Sequence, residues 1–90
     1  MKFEWDAAKS RANREKHGID FETARDLWLD EDRIEIDAPH PVENRGIIIA
    51  KLHGKLWTAV YTVRSNAVRI ISVRRSRGKE EELYGKEKAG

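Results

Sequence analysis

The sequence predicts an α+β domain: a mostly antiparallel sheet with two N-terminal helices and a short C-terminal helix. Three observations predict it. Apolar residues recur at helical spacing in the segment that ends at Leu29. From Arg33 to Arg75 they alternate with polar residues and are rich in isoleucine and valine, the pattern of half-buried strands. The later breaks in that pattern, His53-Gly54-Lys55 and Ser65-Asn66, are short, so consecutive strands fold back on one another as an antiparallel meander.

Taken in order, Lys2-Phe3-Glu4-Trp5 alternates and reads as a short strand with Phe3 and Trp5 on one face. Asp6 is a helix N-cap, Ala7 to His17 is mostly helix-forming, and Gly18 sits where a left-handed C-cap is needed. The apolar stripe of this helix is thin: Ala8, Ala12 and, beyond the cap, Ile19. Asp20 caps a second helix whose buried face is Phe21, Ala24, Leu27 and Trp28, ending near Leu29. Arg33 to Asp37 is a strand with Ile34 and Ile36 inward. Pro39 and Pro41 forbid a central strand, so residues 38–44 form a loop. Arg45–Leu52, Leu56–Arg64 and Ala67–Arg75 are the remaining strands. Gly78 opens a last segment in which Gly85 interrupts the helical pattern and Leu83 is nearly the sole aliphatic anchor, so a short, frayed helix is predicted. The predicted core is Leu27, Trp28, Ile34, Ile36, Ile47, Ile49, Val60, Ile70 and Ile71.

Ninety residues correspond to one domain, 1–90, with a small core and no room for an internal cofactor. The chain has no cysteine, which excludes disulfides and cysteine-based metal sites and fits a reducing compartment. No metal or cofactor site is predicted. The longest apolar run, Gly46 to Ala50, is far short of the roughly 20 residues of a membrane span. Met1 to Asp6 carries no signal-peptide hydrophobic region, so a cytoplasmic location and no membrane partner are expected.

Net charge is only +2, but its distribution is uneven. Lys9, Arg11, Arg14 and Lys16 form one basic block. Eight acids against two bases lie between Asp20 and Asp37. From Arg64 to Lys79 there are six bases (Arg64, Arg69, Arg74, Arg75, Arg77, Lys79) and no acid. Such a molecule is electrically polar and suited to a polyanion. The acidic middle suggests a face that avoids nucleic acid or meets a basic partner.

The Arg64–Lys79 stretch therefore reads as a buried strand with guanidinium groups clustered at its exit. Arginine stays charged at any relevant pH and matches phosphate with two parallel donors. Strict alternation puts Arg69 and Arg75 on one face of a flat strand and Arg74 on the other, so the three do not converge on one phosphate. Arg64 and Arg74 are the favoured phosphate ligands. Arg69, Arg75, Arg77, Lys79 and Lys16 read as further RNA-binding residues, Arg69 being also partly structural and paired to an acid. Glu80 and Tyr84 share one helix face. Tyr84 either reaches RNA or packs on the sheet edge. His17 either caps the last carbonyls of its helix or performs acid–base chemistry near neutrality. His40 and His53 read as exposed.

Phe3-Glu4-Trp5-Asp6, Lys9, Asn13, Lys16-His17-Gly18-Ile19 and Phe21-Glu22-x-Ala24 resemble the opening of the BrnT toxin family. Tyr61-Thr62-x-Arg64 and Arg69-Ile70-Ile71-Ser72-x-Arg74-Arg75, with Glu80 and Tyr84, are similar to its second half. Ala7 and Val73 depart from the proline and alanine usual in the family. The resemblance implies a RelE-like fold and a metal-independent endoribonuclease. It also implies the toxin role of a type II toxin–antitoxin pair, an RNA substrate, and a BrnA-like, DNA-binding antitoxin held in a hetero-oligomer. It further implies a catalytic set drawn from His17, Arg64, Arg74, Glu80 and Tyr84. The expected antitoxin position is over the Arg64–Tyr84 surface. A non-catalytic module that grips RNA or a protein with the same basic face is the alternative that these residues leave open.

Overall fold

The computed structural model describes residues 1–89, and side chains as far as Lys86. The fold class is α+β, but the arrangement differs from the predicted one. Five strands, β1 (Lys2–Glu4), β2 (Ile34–Ala38), β3 (Arg45–Leu52), β4 (Lys55–Arg64) and β5 (Ala67–Arg75), form one sheet in the order β1-β5-β4-β3-β2. The sheet is mixed rather than mostly antiparallel, because β1 lies parallel to β5 with Phe3 opposite Val68. Short connections dictate antiparallel neighbours only for β2 to β5. β1 is separated from β5 by most of the chain, so no local turn sets its direction.

Instead of two N-terminal helices there is one full helix, α1 (Ala7–His17). It starts at the Asp6 cap, which accepts from the Lys9 N–H at 3.0 Å, and stops at Gly18 with φ +80°. The second segment is a single α-turn, α2 (Phe21–Ala24), that tightens into a 3₁₀ turn over Arg25–Leu29. Three residues per turn stack Ala24 over Leu27, and both are fully buried. The C-terminal helix α3 (Gly78–Ala89) is longer than predicted and runs through Gly85. Its anchor is Tyr84, 5 % exposed, rather than an aliphatic stripe.

The helices α1 and α2 and the 3₁₀ turn build the main core on one face of the sheet. Ile19, Phe21, Leu27 and Trp28 pack there on Ile48, Ala50, Ala59, Val68, Ile70 and Val73. Trp28 meets Phe3 and Tyr61 edge-on, with ring centroids 5.2 and 5.3 Å away. Of the predicted core, Leu27, Trp28, Ile49 and Ile70 are buried. Ile34, Ile47, Val60 and Ile71 are only half-buried and Ile36 is exposed. Alternation places Ile34, Ile36, Ile47 and Val60 on the opposite face, of which α3 covers one end.

Two local features aim the side chains that follow. Both hairpin turns have positive φ at both central residues (His53 and Gly54, Ser65 and Asn66), which matches the strand twist and sets register without extra loop. β5 carries a bulge: Tyr61 pairs with Ile70 but Val60 pairs with Ser72, leaving Ile71 over.

Beyond Glu4, β5 has no strand on its outer edge. Buried Asn13 of α1 takes that place, accepting from the Val73 N–H at 3.2 Å and donating to the Val73 and Ile19 carbonyls at 2.9 and 2.8 Å. Ser10 adds an acceptor for the Phe21 N–H at 2.9 Å. Asn13→Ala strands three buried backbone groups, so a loss of about 2–3 kcal/mol is expected. That corresponds to a fall in Tm of roughly 10–20 °C. Thermal melting checks it; a shift under a few degrees would mean that water or a neighbour replaces the amide.

Candidate functional site

The bulge reassigns the arginines. Arg69 pairs with Thr62 and Arg74 with Thr58, four residues apart on β4 and therefore on one face. Arg75 pairs with Trp57 on the helix-covered face, where its guanidinium lies 5.5 Å from the indole centroid. A flat strand pairs Arg69 with Arg75. The extra residue Ile71 inverts that parity and brings Arg69 to the side of Arg74.

At the β5 exit, Arg74 and Glu80 form a two-point ion pair, with Nη1–Oε1 at 2.8 Å and Nη2–Oε2 at 2.7 Å. Glu80 also accepts from the Arg77 N–H at 2.7 Å and from the Thr58 hydroxyl at 3.0 Å, and Thr58 shares a hydrogen bond with Ser76 at 2.8 Å. The Arg77 contact is the backward half of a capping box, so Glu80 both starts α3 and ties it to the sheet. Hydrogen bonds from Arg74 above all hold the Glu80 carboxyl down to about 2, against an ordinary 4.5. At neutral pH it is therefore an anion.

Tyr84 sits one helical turn further on and points at the sheet. Its hydroxyl donates to Asp30 Oδ2 at 2.8 Å. Burial first, and then the Asp30 carboxylate, push the phenol up to about 12. Asp30 also accepts from the Lys51 and Asp32 N–H groups at 2.8 and 2.9 Å. Burial works against its ionisation, but those donors and Tyr84 outweigh it and keep its carboxyl below the usual range. Glu80 and Tyr84 thus hold α3 down at two points along its length.

The other cations lie apart from this corner. Arg64, at the end of β4, makes three contacts of 3.2–3.3 Å to Glu43 in the loop before β3. Arg69 is half-buried and stands 3.8 Å from Glu4, outside hydrogen-bonding range. Arg77 and Lys79 are exposed beside the start of α3. Lys16 is exposed and His17 half-buried at the end of α1. The neighbouring Gly18 and Ile19 border a cleft with Leu52, His53 and Trp57 on the helix-covered side. The fold therefore sets Arg69 and Arg74 on the sheet face opposite α1, Arg74 at the end where α3 sits and Arg69 toward the open end with Arg64, and leaves Lys16, His17 and Arg75 on the other side.

Residues 5–80 match the sequence profile of a family described as the ribonuclease toxin, BrnT, of type II toxin–antitoxin systems. The chain belongs to the BrnT family. Compared with curated proteins, it has no significant match. Membership makes it a ribonuclease toxin with an RNA substrate and an antitoxin partner. The BrnT match ends at Glu80, so it spans the Arg74–Glu80 pair and every arginine of the uncovered face but not Tyr84. Among the described residues, no helix of this BrnT chain is long and apolar enough to cross a membrane.

Sequence reading missed Arg45. It stands at the head of the apolar run that makes β3, far from the basic block, and nothing in the linear pattern ties it to Arg69. The signal available was its parity: on β3 it falls in phase with Ile47 and Ile49, on a stripe that Lys51 closes at the other end.

The depressed Glu80 carboxyl makes a pH prediction. Its stabilising share is complete above its ordinary value of 4.5 and is lost as pH falls toward about 2. Glu80→Gln is therefore less stable than wild type at neutral pH, and the two denaturant midpoints converge in acid. A midpoint gap that stays constant from about pH 7 to about pH 2 contradicts the charge-based account of this anchor.

Proposed function

We propose that this chain is a metal-independent endoribonuclease that inhibits translation by cutting RNA along the sheet face opposite α1, at the edge of α3. The observation that carries the reading is the bulge that puts Arg69 and Arg74 on one face of the sheet, in a chain whose family is a ribonuclease toxin. Arginine supplies fixed positive charge and planar donors, which offset the negative charge that an RNA phosphate gathers as a fifth oxygen approaches it. The reaction is a transesterification. The 2′-oxygen forms a bond to phosphorus, the bond from phosphorus to the 5′-oxygen breaks, and the 2′-hydroxyl proton ends on the departing 5′-oxygen. The products are a 2′,3′-cyclic phosphate and a 5′-hydroxyl.

In this reading Arg74 is the cation at the scissile phosphate. Glu80 is its positioning residue, holding Nη1 and Nη2 in a two-point contact that does not use Nε. Tyr84 keeps α3 seated. Arg64 and Arg69 contact the backbone further along, and Arg77 and Lys79 contact it at the α3 end. His17, Lys16 and Arg75 lie outside the path.

A DNA-binding, BrnA-like antitoxin silences the enzyme by covering the same face. Ile36 is exposed and Ile47, Val60 and Ile71 are half-buried there, an apolar strip beside arginines that suits a partner segment bearing both apolar and acidic side chains.

RNA incubated with the protein in excess chelator is expected to yield fragments ending in 2′,3′-cyclic phosphate. Arg74→Ala lowers the single-turnover rate by about 10²–10³, the usual scale for one lost electrostatic donor, with a smaller loss of RNA affinity. His17→Ala cuts at the wild-type rate. RNA that shifts in a gel but stays intact favours a binding module instead, and cleavage that appears only when magnesium is restored sinks the metal-independent mechanism.

A further inference from the structure

The end of the uncovered face nearest the β4–β5 turn carries two polar atoms with nothing to bond. Thr62 is 2 % exposed and its hydroxyl has no hydrogen-bond partner among the described residues. The Nε of Arg45 is likewise buried and unpartnered. The register relates them. Thr62 pairs with Arg69 on β5, and the β3–β4 ladder ends at Gly46 opposite Tyr61. One more step along it sets Arg45 on the other side of Thr62. Arg45, Thr62 and Arg69 thus make one row across three strands, next to the Ile47–Val60 row.

Four arginines among the described residues are half-buried: Arg33, Arg45, Arg69 and Arg74. Arg33 faces Glu35, Arg74 grips Glu80, and Arg69 stands loosely at 3.8 Å from Glu4. Arg45 forms no ion pair and no side-chain hydrogen bond among them. Asp37 borders a small cleft with Arg45, yet no ion pair joins them. A half-buried guanidinium without a counter-charge is a standing cost unless something outside the fold completes it. The surroundings favour an anion: Arg64 and Lys2 line an adjoining cleft of about 340 Å³, with Glu4 the acid on its wall.

We infer that Arg45 and Arg69, on either side of Thr62, hold a phosphodiester of RNA lying across this end of the sheet. The inference rests on the RNA reading above and extends it with a subsite. Arg69 and Arg74 are five residues apart, about 16 Å of strand before the bulge shortens it. That is more than one phosphate spans, so the group held here is a different phosphate from the one at Arg74. The phosphate takes the place of Glu4 at Arg69 and gives Arg45 its missing counter-charge.

The test uses a short single-stranded RNA with 2′-O-methyl riboses throughout, which cannot be cut through its own 2′-oxygen. Fluorescence anisotropy reads Kd and its salt dependence for wild type, Arg45→Ala and Arg45→Lys, with melting curves for each. Arg45→Ala is expected to weaken binding about tenfold to a hundredfold. It also lowers the salt slope by about one, and Arg45→Lys recovers part of the loss because charge remains without the planar fork. Wild-type affinity and slope in Arg45→Ala overturn the inference and leave the ribonuclease reading standing. If Arg45→Ala fails to fold, Arg45→Lys decides: unchanged affinity in a folded Arg45→Lys overturns the inference, and a weaker Kd supports it. A wild type that binds the probe through Arg45 but cuts no unmodified RNA keeps the subsite and sinks the cleavage reading. A wild type that does not bind the probe overturns both.

Discussion

One side-chain amide sets the layout of this fold. Asn13 stands where β1 runs out, and meets both the N–H and the carbonyl of Val73 as a neighbouring strand would. A bare strand edge there would leave those groups without partners in a dry setting, which costs more than any surface contact of α1 returns. The same amide donates to the Ile19 carbonyl, so the turn after α1 is held against the sheet edge. Ile19 and Phe21 then enter the core at a fixed angle, and Trp28 closes on Phe3 and Tyr61. A helix with a thin alanine stripe is thereby placed by hydrogen bonds rather than by apolar area.

The two faces of the sheet are finished differently. The helix-covered face is packed with large residues and leaves little open. The other face is closed only at the end where α3 sits, and α3 has so few aliphatic residues that Glu80 and Tyr84 hold it by polar contacts. Tying a helix down through fully satisfied acids secures its position without a large apolar interface. The remaining half of the face keeps its isoleucines half-exposed beside arginines, the composition of a surface that another molecule covers.

Part of the acidic middle of the chain has a structural use. Two of its carboxylates, and Glu43 in the loop beyond it, act as internal partners: Asp30 for Tyr84 and Lys51, Glu35 for Arg33 and Tyr61, Glu43 for Arg64. Most of these pairs are exposed enough that each contributes little alone. Together they orient groups of the second half of the chain, so the charge asymmetry of the sequence becomes a set of cross-links in the fold.

Local chemistry made much of this legible in advance. The caps at Asp6, Gly18 and Asp20, the two tight hairpins and the span of β3 and β5 follow from interactions within a few residues, which sequence carries directly. The basic block from Arg64 to Lys79 was equally plain, as was its suitability for a polyanion. Three things were decided only by tertiary structure. The parallel docking of β1 depends on a partner most of the chain away. The shared face of Arg69 and Arg74 depends on one unpaired residue, Ile71, whose apolar character looks the same in a flat strand and a bulged one. Arg45 reaches its place beside Thr62 only when β3 and β4 pair, because register across strands, unlike spacing along one, is set by long-range contacts.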